Sequence, residues 1–415
     1  MAEIRFSTII IGGGLAGLCC GIRLQKAGVQ CAIVSAGQSA LHFFSGSFEL
    51  LNVDAEGKSV DNPVVAIEGL PEDHPYKKIS DFSHYAEEVK SLLTDCGVDV
   101  NGDAKANHFH FTPMGTLKRS WLSLGDFNRF DSMDCFCGKK VVVVNIAGFL
   151  DFNMKFVCDA FARMGAKVEQ RKISLEATDK LRTSPTEMRA SNIARVLDVK
   201  ENQNQLLTIL KDYSNGVDVV ALPAVFGLNS TDFVKTVKRE VPQVVLIPSM
   251  PPSVPGIRVQ QRLRREFERT GGVFMLGDSV VKADFEGNRV VRLFSRNHED
   301  MPLTADNVVL ATGSFFSSGL VARSSEVIEP VMHLDVDFDS NRSTWYDAQF
   351  FNPQGYMKFG VATNNRFQVK RQGETIDNVY AIGSVLSGFN ALAEGCGAGV
   401  SMLTALAVAD EIIKQ

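Results

Sequence analysis

The chain has 415 residues, of which 45% are hydrophobic and 22% are charged, and its formal net charge is −5. These values are typical of a globular protein with two or three domains, and the acidic balance gives no electrostatic case for nucleic-acid binding. No apolar run is long enough to span a bilayer and no secretory leader precedes the first predicted element, so we expect a cytoplasmic protein.

The first predicted element is a strand that ends in a glycine-rich turn. The apolar run 7–11 predicts the strand, a helix follows over about 15–27, and a second strand follows at 31–34. Between strand and helix the chain has the pattern G-x-G-x-x-G, formed by Gly12, Gly13, Gly14, Leu15, Ala16 and Gly17. The glycines allow a tight turn, close approach of an anion, and close helix packing. The pattern predicts a phosphate or pyrophosphate site at the helix N-terminus.

A large insertion follows, from about residue 51 to residue 255. Its part 139–250 is βαβ-like: a buried strand at 141–146 precedes a helix that ends at Arg163, with Asp151 or Asn153 as its cap. Further strands are predicted at 168–173, 217–222 and 244–247, with a helix at 231–239. The proline-rich segment 251–256 is interpreted as the crossing back to the first domain.

The late middle of the chain has a helix and a run of strands. A helix is predicted over 259–269, strands over 272–276, 280–285 and 290–294, and a hairpin turn at Gly287-Asn288. The segment 304–313 is then predicted to be a turn followed by a buried strand that ends at Ala311, Thr312 and Gly313. This order is typical of flavoproteins of the glutathione-reductase type, in which the end of that strand passes near the cofactor phosphates.

The C-terminal segment completes this pattern. A strand over 375–381 leads to Gly383 and Ser384, where such flavoproteins usually have Gly-Asp, and Gly397, Ala398 and Gly399 begin an apolar helix that continues over 400–413. Small residues there allow close approach of a ring, and the positive end of the helix stabilises negative charge on a reduced flavin.

The three motifs together predict an α/β fold with a discontinuous, glutathione-reductase-like flavin-binding Rossmann domain and a large inserted α/β cap domain. The flavin-binding domain is predicted from residues 1–50, 256–325 and 370–415. Residues 51–255 are predicted to form the cap or substrate domain, and residues 326–369 a smaller insertion.

Five stretches resemble the B-subunit family of anaerobic glycerol-3-phosphate dehydrogenase, and the similarity covers nearly the whole chain. They are GGGLAGL at 12–18, QSALHFFSGS at 38–47, TPMGTL at 112–117, PPSVPGIR at 251–258 and AIGSVL at 381–386. The resemblance implies a flavoprotein subunit that takes part in the oxidation of sn-glycerol 3-phosphate to dihydroxyacetone phosphate, with electrons passed to quinone for fumarate or nitrate respiration.

The resemblance also implies cofactor, partners and location. It implies FMN in this chain, a larger FAD-bearing catalytic subunit, and an iron–sulfur membrane-anchoring subunit that tethers the pair to the cytoplasmic face of the membrane. Two alternatives stay open: an electron-relay or structural flavoprotein without its own substrate site, and a stand-alone flavin oxidoreductase of another substrate.

Two serines bear on the identity of the flavin. Ser35 stands at the end of the second strand, where an acidic residue usually holds the adenosine ribose of FAD, and Ser384 replaces the Asp that usually binds the ribityl chain. A serine offers one hydrogen bond and no charge. The residues alone leave FMN and FAD open, and the resemblance favours FMN.

Catalytic residues are not identified by the sequence, although three histidines are candidates. His42 follows the second strand and either contacts flavin or substrate or packs among aromatic residues. His108 and His110 alternate in a strand and share one face, which either lines a substrate site or faces solvent.

Other polar residues are candidates for binding. The small residues Ser45, Gly46 and Ser47 can approach a flavin ring edge, and Lys118, Arg119 and Arg258 are candidates for a substrate phosphate. The eight cysteines are expected to be mostly buried free thiols, and no Cys/His cluster at ligand spacing predicts a metal site.

Overall fold

The computed structural model describes residues 3–298 and 301–415. The chain divides into two compact units: unit 1 comprises Met1–Ala40, Glu49–Gly97 and Arg262–Gln415, and unit 2 comprises Leu41–Phe48 and Val98–Gln261. Within the described residues, no helix combines the length and the apolar character that crossing a membrane requires.

The strands of the described residues, in chain order, are β1 (Ile4–Ile11), β2 (Cys31–Ser35), β3 (Ser47–Phe48), β4 (Val100–Gly102), β5 (His108–Phe111), β6 (Leu117–Ser120), β7 (Leu122–Leu124), β8 (Lys140–Ile146), β9 (Lys167–Ile173), β10 (Val219–Pro223), β11 (Val244–Ile247), β12 (Val273–Leu276), β13 (Val280–Glu286), β14 (Arg289–Ser295), β15 (Leu303–Leu310), β16 (Val321–Ala322), β17 (Val327–Ile328), β18 (Val336–Asp337), β19 (Gly360–Val361), β20 (Gln368–Arg371) and β21 (Glu374–Ala381).

The α-helices are α1 (Leu15–Lys26), α2 (Pro63–Ala66), α3 (Phe82–Asp95), α4 (Met154–Arg163), α5 (Glu176–Arg182), α6 (Ala190–Leu197), α7 (Lys200–Tyr213), α8 (Asp232–Glu240), α9 (Val254–Arg269) and α10 (Gly397–Ile413). Short 3-10 helices lie at Ala40–Phe43, Ile67–Gly69, Pro75–Lys78, Pro185–Glu187, Phe315–Ser317, Arg342–Thr344, Gly355–Lys358 and Gly383–Val385.

Unit 1 is built on a sheet whose parallel strands follow the order β12-β2-β1-β15-β21. The hairpin β13–β14 pairs with the beginning of β15, and β20 pairs antiparallel with β21. Helix α10 is buried around its circumference over residues 399–409, as expected for an apolar helix inside a domain. Helix α1 packs close to α9 at Gly21, where a Cβ would lie 2.8 Å from a ring carbon of Phe267.

Unit 2 contains a second parallel sheet with the strand order β11-β10-β8-β9. Val141–Val144 of β8 are at most 1% exposed, which accounts for the continuous apolar run in the sequence. Asn153 caps α4 by accepting a hydrogen bond from Phe156 N at 3.3 Å. The other predicted cap, Asp151, instead pairs with Arg189 at 3.0 Å.

The predicted fold class is confirmed: both ends of the chain contribute strands to one parallel sheet, with a second α/β unit between them. The unit boundaries differ from the predicted domain boundaries. Residues 49–97 belong to unit 1, and the chain passes from unit 2 to unit 1 within α9 rather than at residue 256. The reason is long-range packing, because Glu49 O accepts a hydrogen bond from Gly399 N at 2.9 Å, a contact that sequence periodicity does not reveal.

Candidate functional site

The carboxyl ends of four parallel strands place three of the sequence motifs side by side in unit 1. Ile11 pairs in register with Val34 on one side and with Leu310 on the other, and Leu310 pairs with Ala381. The residues that follow these strands are therefore neighbours at one edge of the sheet. In open α/β sheets, this edge is where ligands bind.

Three glycines of the N-terminal turn are required by the protein's own packing. Gly12 has φ +120°, and a Cβ there would overlap Ala311 O. A Cβ on Gly17 would overlap Gly12 O, and one on Gly13 would lie 2.6 Å from Ser35 Oγ. These residues hold the turn tightly between β15, β2 and α1, in agreement with the predicted strand-turn-helix motif.

Gly14 differs from the other glycines of the turn. Its backbone is extended (φ −82°, ψ −168°), so any residue can adopt it, and the atom nearest to an added Cβ is Ser39 Cβ at 3.9 Å. The protein's own packing gives no reason for glycine here. Because Gly14 is the N-cap of α1 and has no side chain, the first amides of the helix are left for a ligand, and the turn fits a phosphate group.

Thr312 is a second feature that fits a bound polar group. Ala311 N donates to Ile11 O at 2.8 Å and so fixes the end of β15 beside the glycine turn. Within the part of the chain that the structure describes, Thr312 Oγ1 is buried and has no hydrogen-bond partner. Such an orphaned hydroxyl is costly unless a ligand or water satisfies it. Gly313, with φ +80°, turns the chain directly afterwards.

Gly383 joins the third motif to the first. A Cβ on Gly383 would lie 2.9 Å from Ala16 Cβ of α1 and 3.5 Å from Ser401 Oγ of α10. Thr404 of α10 holds this glycine by accepting a hydrogen bond from Gly383 N at 3.0 Å, a role that sequence reasoning missed. The structure thus brings Gly12–Gly17, Ala311–Gly313, Gly383 and the first turns of α10 together.

The start of α10 is packed on its inner side by an aromatic residue. A Cβ on Gly399 would overlap Tyr76 Oη, so glycine is required there. Gly397 and Ala398 are half-buried and lie at the first turn of the helix. Their small side chains agree with the expectation that a ring approaches this turn, which stays a prediction.

The two serines predicted to bear on the flavin are both at this edge of unit 1. Ser35 is the last residue of β2, is 4% exposed, and donates from its hydroxyl to Gly37 O at 3.2 Å. Ser384 is half-buried in the 3-10 helix Gly383–Val385. Neither position offers a carboxylate to a ribose or ribityl group.

The loop candidates Ser45, Gly46 and Ser47 belong to unit 2, whereas the glycine turn and the other motifs described above belong to unit 1. Ser45 contributes its carbonyl to a hydrogen bond from His110, and Ser47 is buried in β3 with Oγ 3.0 Å from Ser120 Oγ. A Cβ on Gly46 would overlap the ring of Phe127. Packing within unit 2 therefore explains Gly46 and Ser47 without a flavin, and their contact with a ring stays a prediction.

His42 is half-buried beside these residues, and burial lowers its pKa. Its Nδ1 is buried without a partner among the described residues. The two interpretations of His42 given by the sequence stay open.

His108 and His110 form a directed chain of hydrogen bonds within unit 2. His110 Nε2 donates to Ser45 O at 2.8 Å, so its Nδ1 accepts the hydroxyl of Ser123 at 3.1 Å. Ser123 Oγ in turn accepts from His108 Nε2 at 2.7 Å. Both histidines share one face of β5, as predicted, and both are buried, so the solvent-face alternative is wrong.

Burial sets the protonation of both rings. It lowers the pKa of His108 to about 4, with the neighbouring Arg129 adding to the effect, and it lowers the pKa of His110 to about 3. Both imidazoles are therefore neutral at pH 7, and the unprotonated atom of His108 is Nδ1, which is buried without a partner among the described residues.

The lowered pKa values of His108 and His110 predict that the folded protein loses stability in mild acid. The unfolded chain takes up protons near pH 6.5 whereas the folded chain does not, so stability is full above pH 6.5 and falls as the pH drops toward about 4. We expect the free energy of unfolding in urea to fall by about 3 kcal/mol more between pH 7.5 and 5.5 than it does in the double variant His108→Asn/His110→Gln, because each histidine contributes about one pKa unit over this interval.

The matched control for this prediction is Ser123→Ala, which breaks the chain of hydrogen bonds but keeps both buried rings. Its overall stability should drop, while its dependence on pH stays that of the original protein. Equal pH dependence in the original protein and in the double variant contradicts the prediction.

The three cationic candidates for a substrate phosphate all lie in unit 2. Arg258 is 4% exposed, pairs with Asp126 and donates to Gly227 O at 2.5 Å, so its charge is satisfied inside unit 2. Arg119 stacks on the Phe109 ring at 5.1 Å, and Lys118 lies opposite His110 in the β5–β6 hairpin. The structure gives Arg258 an internal role, and a phosphate contact of Lys118 or Arg119 stays a prediction.

One polar cluster was missed by sequence reasoning. His74, Glu394 and Cys396 place one ligand-type atom each within 4.8 Å of the others. The sequence gives no indication of this cluster, because 320 residues separate His74 from Glu394 and the three residues do not form a known ligand-spacing motif. The cluster lies directly before α10 in unit 1.

Comparison with known proteins agrees with this geometry. The sequence model of the FAD binding domain family matches residues 7–400. The chain is 44% identical over 417 residues to the B subunit of anaerobic glycerol-3-phosphate dehydrogenase from Yersinia enterocolitica serotype O:8 / biotype 1B, covering 99% of this chain and 98% of that protein. The protein of the same name from Pectobacterium atrosepticum is 41% identical over 418 residues, with 99% of each chain covered.

Among solved structures, the 3-ketosteroid delta1-dehydrogenase from Sterolibacterium denitrificans in complex with 1,4-androstadiene-3,17-dione is similar over 99% of both chains. The sequence identity is 10% and the TM-score is 0.44.

Proposed function

Because the chain belongs to the B-subunit family of anaerobic glycerol-3-phosphate dehydrogenase, we propose that it is a flavoprotein subunit of that enzyme. Its activity is the oxidation of sn-glycerol 3-phosphate to dihydroxyacetone phosphate, with the electrons passed on toward quinone. The observation that carries the flavin assignment is the glycine turn, in which Gly14 alone is not explained by packing within the protein.

Three parts of unit 1 are proposed to bind different groups of the cofactor. The first amides of α1, beside Gly14, would hold the phosphate of the flavin, the hydroxyl of Thr312 would provide a hydrogen bond, and the first turn of α10 would lie against the flavin ring. When bound, a flavin accepts two electrons from a substrate carbon that carries a hydroxyl group. Gly383 packs against Ala16 of α1 and donates to Thr404 of α10, so it connects the two helices whose first turns would hold the flavin.

The cofactor that we propose is FMN, with FAD as the alternative. The family model is that of an FAD binding domain, but Ser35 ends β2 where an adenosine ribose would need a carboxylate. Its hydroxyl is directed to Gly37 O instead. Heating the purified protein and identifying the released flavin by chromatography tests both the presence of a flavin and its identity.

A substitution at Ser35 distinguishes the two flavins further. Ser35→Glu should leave FMN affinity nearly unchanged, because FMN has no ribose at this position. It should strengthen FAD binding by about one charge-assisted hydrogen bond, roughly 1.5–3 kcal/mol before losses from imperfect geometry. Titration of the apoprotein with both flavins measures the difference.

The control for Ser35→Glu is Ser35→Gln, which adds the same bulk in this buried position without the charge. If the two variants bind FAD equally well, or if Ser35→Glu changes both flavins alike, position 35 does not contact an adenosine ribose.

We also propose that the chain works in a complex. The relatives are named as one lettered subunit, which implies a multi-subunit enzyme. We propose an FAD-bearing catalytic subunit and an iron–sulfur membrane-anchoring subunit as the partners, at the cytoplasmic face of the membrane. One observation favours a relay role for this chain: His108 and His110 are neutral and engaged with each other through Ser123, and Arg258 is paired with Asp126. Two of the three candidate bases and one of the three candidate phosphate ligands are thus engaged in internal structure.

A further inference from the structure

The carboxylate of Glu394 is surrounded by hydrogen-bond donors just before α10. His74 Nε2 lies 3.2 Å from Glu394 Oε2, and the thiol of Cys396 donates to the same oxygen at 3.5 Å. The other oxygen, Oε1, accepts from Asn390 N at 3.0 Å. His74 and Cys396 are fully buried, so this is an interior network in unit 1.

The hydrogen bonds determine which nitrogen of His74 carries the proton. Nδ1 accepts from Tyr76 N at 3.1 Å, so it has no proton, and Nε2 is the donor to Glu394. A histidine that ligates a metal through Nε2 must have a free lone pair there and usually donates from Nδ1. The side chains of His74, Glu394 and Cys396 are close enough to hold a metal ion. The orientation of the His74 ring, with Nε2 as the donor, favours a hydrogen-bonded triad instead.

The charges agree with a triad built around an anion. Burial alone raises the pKa of Glu394, but the hydrogen bonds from His74 and Asn390 outweigh burial and bring that pKa below its usual value. Burial, together with the Glu394 carboxylate, raises the pKa of the Cys396 thiol well above its usual value. Both directions agree with a Glu394 carboxylate that accepts hydrogen bonds and a Cys396 thiol that keeps its proton.

The same segment is attached to the rest of unit 1 through its backbone. Glu394 O accepts from Asn52 N at 2.8 Å and from Val53 N at 3.1 Å. Gly395 has φ +58° and lies so close to Asn52 that a Cβ would meet its side chain at 2.6 Å. Tyr76 Oη donates to Leu50 O at 2.7 Å and lies 3.3 Å from Cys396 O.

We propose that His74, Glu394 and Cys396 are positioning residues that hold the turn 395–399, and with it the first amides of α10, in the geometry that binds the flavin. This inference rests on the proposed function, because the turn matters only if a flavin lies against it. Cys396 is the N-cap of α10, and its thiol is directed to Glu394 rather than to the helix amides, which leaves those amides for the ligand.

The test is Glu394→Gln, which preserves size but replaces one acceptor by an NH₂ group. Either orientation of the amide then faces a donor, Asn390 N on one side or His74 Nε2 on the other. We expect faster hydrogen exchange in residues 388–399 of the apoprotein, including Gly399 N. We also expect the flavin dissociation constant to rise by about tenfold to a hundredfold, as for a buried donor left unpaired.

Three further variants, one at Glu329 and two at Cys396, control for general destabilisation. Glu329→Gln changes a different glutamate of unit 1, which is fully buried and whose oxygens accept from Val331 N and Met332 N, and it should leave exchange in 388–399 unchanged. Cys396→Ser keeps a donor to Glu394 and should bind flavin nearly as well as the original protein, whereas Cys396→Ala should not.

The outcomes separate this inference from the proposed function. If the original protein binds no flavin, the proposed function fails, while the exchange measurement on the apoprotein still decides whether the triad holds the turn. Unchanged exchange and unchanged flavin affinity in Glu394→Gln overturn the positioning role. Metal analysis of the purified holoprotein provides a further check: one equivalent of zinc that is retained by the original protein and lost in Cys396→Ser overturns the triad in favour of a metal site.

Discussion

Gly14→Val is expected to abolish flavin binding while the protein stays folded. The backbone at Gly14 is extended, and an added Cβ has Ser39 Cβ as its nearest protein neighbour at 3.9 Å, so the side chain fits the apoprotein. The valine methyl groups would instead occupy the space through which a phosphate reaches the first amides of α1. The measurement is flavin content after purification, with circular dichroism and thermal melting to confirm the fold.

The cost of this substitution to the fold should be small. Gly14 is the N-cap of α1, and valine is a poorer N-cap than glycine, but a capping change costs about 0.5–2 kcal/mol against a typical total stability of roughly 5–15 kcal/mol. Gly69→Val is the matched control, because glycine 69 also has open space around it and lies outside the left-handed region. It should retain flavin fully.

Substitution of the neighbouring Gly12 should instead destabilise the fold. Gly12→Val should lower the melting temperature sharply, because its Cβ would overlap Ala311 O and its φ of +120° is unfavourable for valine.

A folded Gly14→Val protein with normal flavin content would show that the glycine turn is not the phosphate site, and the cofactor assignment would lose its main support.

The parts of the fold that the sequence predicted are those coded by local pattern. The turn 12–17, the hairpin β13–β14 and the buried strand β8 each follow from residues that are close in the chain, and the structure has them within a few residues of the predicted bounds. The order of the motifs also predicted that both ends of the chain contribute to one sheet. Parallel strands are joined by long crossover connections, so neighbouring strands can be far apart in the sequence.

The parts that the sequence did not predict depend on contacts between distant residues. Nothing near His74 indicates that it bonds to Glu394, and the assignment of residues 49–97 to unit 1 depends on their hydrogen bonds to the 394–399 segment. Gly46 shows the reverse problem: a small residue in a loop suggests approach of a ligand, whereas the structure shows that the Phe127 ring fills the space. Small residues alone do not distinguish the two causes.

The isolated chain is expected to be a poor glycerol-3-phosphate dehydrogenase and to need a partner. Oxidation of a hydroxyl requires a base near that hydroxyl, and a positioned base contributes about 10²–10⁴-fold to the rate. His108 and His110 have pKa values of about 4 and 3 because they are buried, so they are weak bases, and each is bonded to Ser123. Arg258, the most buried cationic candidate, is paired with Asp126. We therefore expect dye-linked oxidation of sn-glycerol 3-phosphate to be at least about 10²-fold slower without the partner.

Co-expression with the proposed FAD-bearing catalytic subunit should restore the activity, and loss of the flavin from this chain shows what the chain contributes. If the flavin relays electrons, a complex of Gly14→Val with both proposed partners should be inactive toward quinone although the proposed FAD-bearing subunit still reacts with substrate and dye. Activity of that complex toward quinone equal to that of the original complex would assign this chain a structural role instead. Rapid turnover by the original chain, shown by mass spectrometry to be free of partners, would place catalysis on this chain, and the base would then have to be sought among groups other than the buried pair His108 and His110.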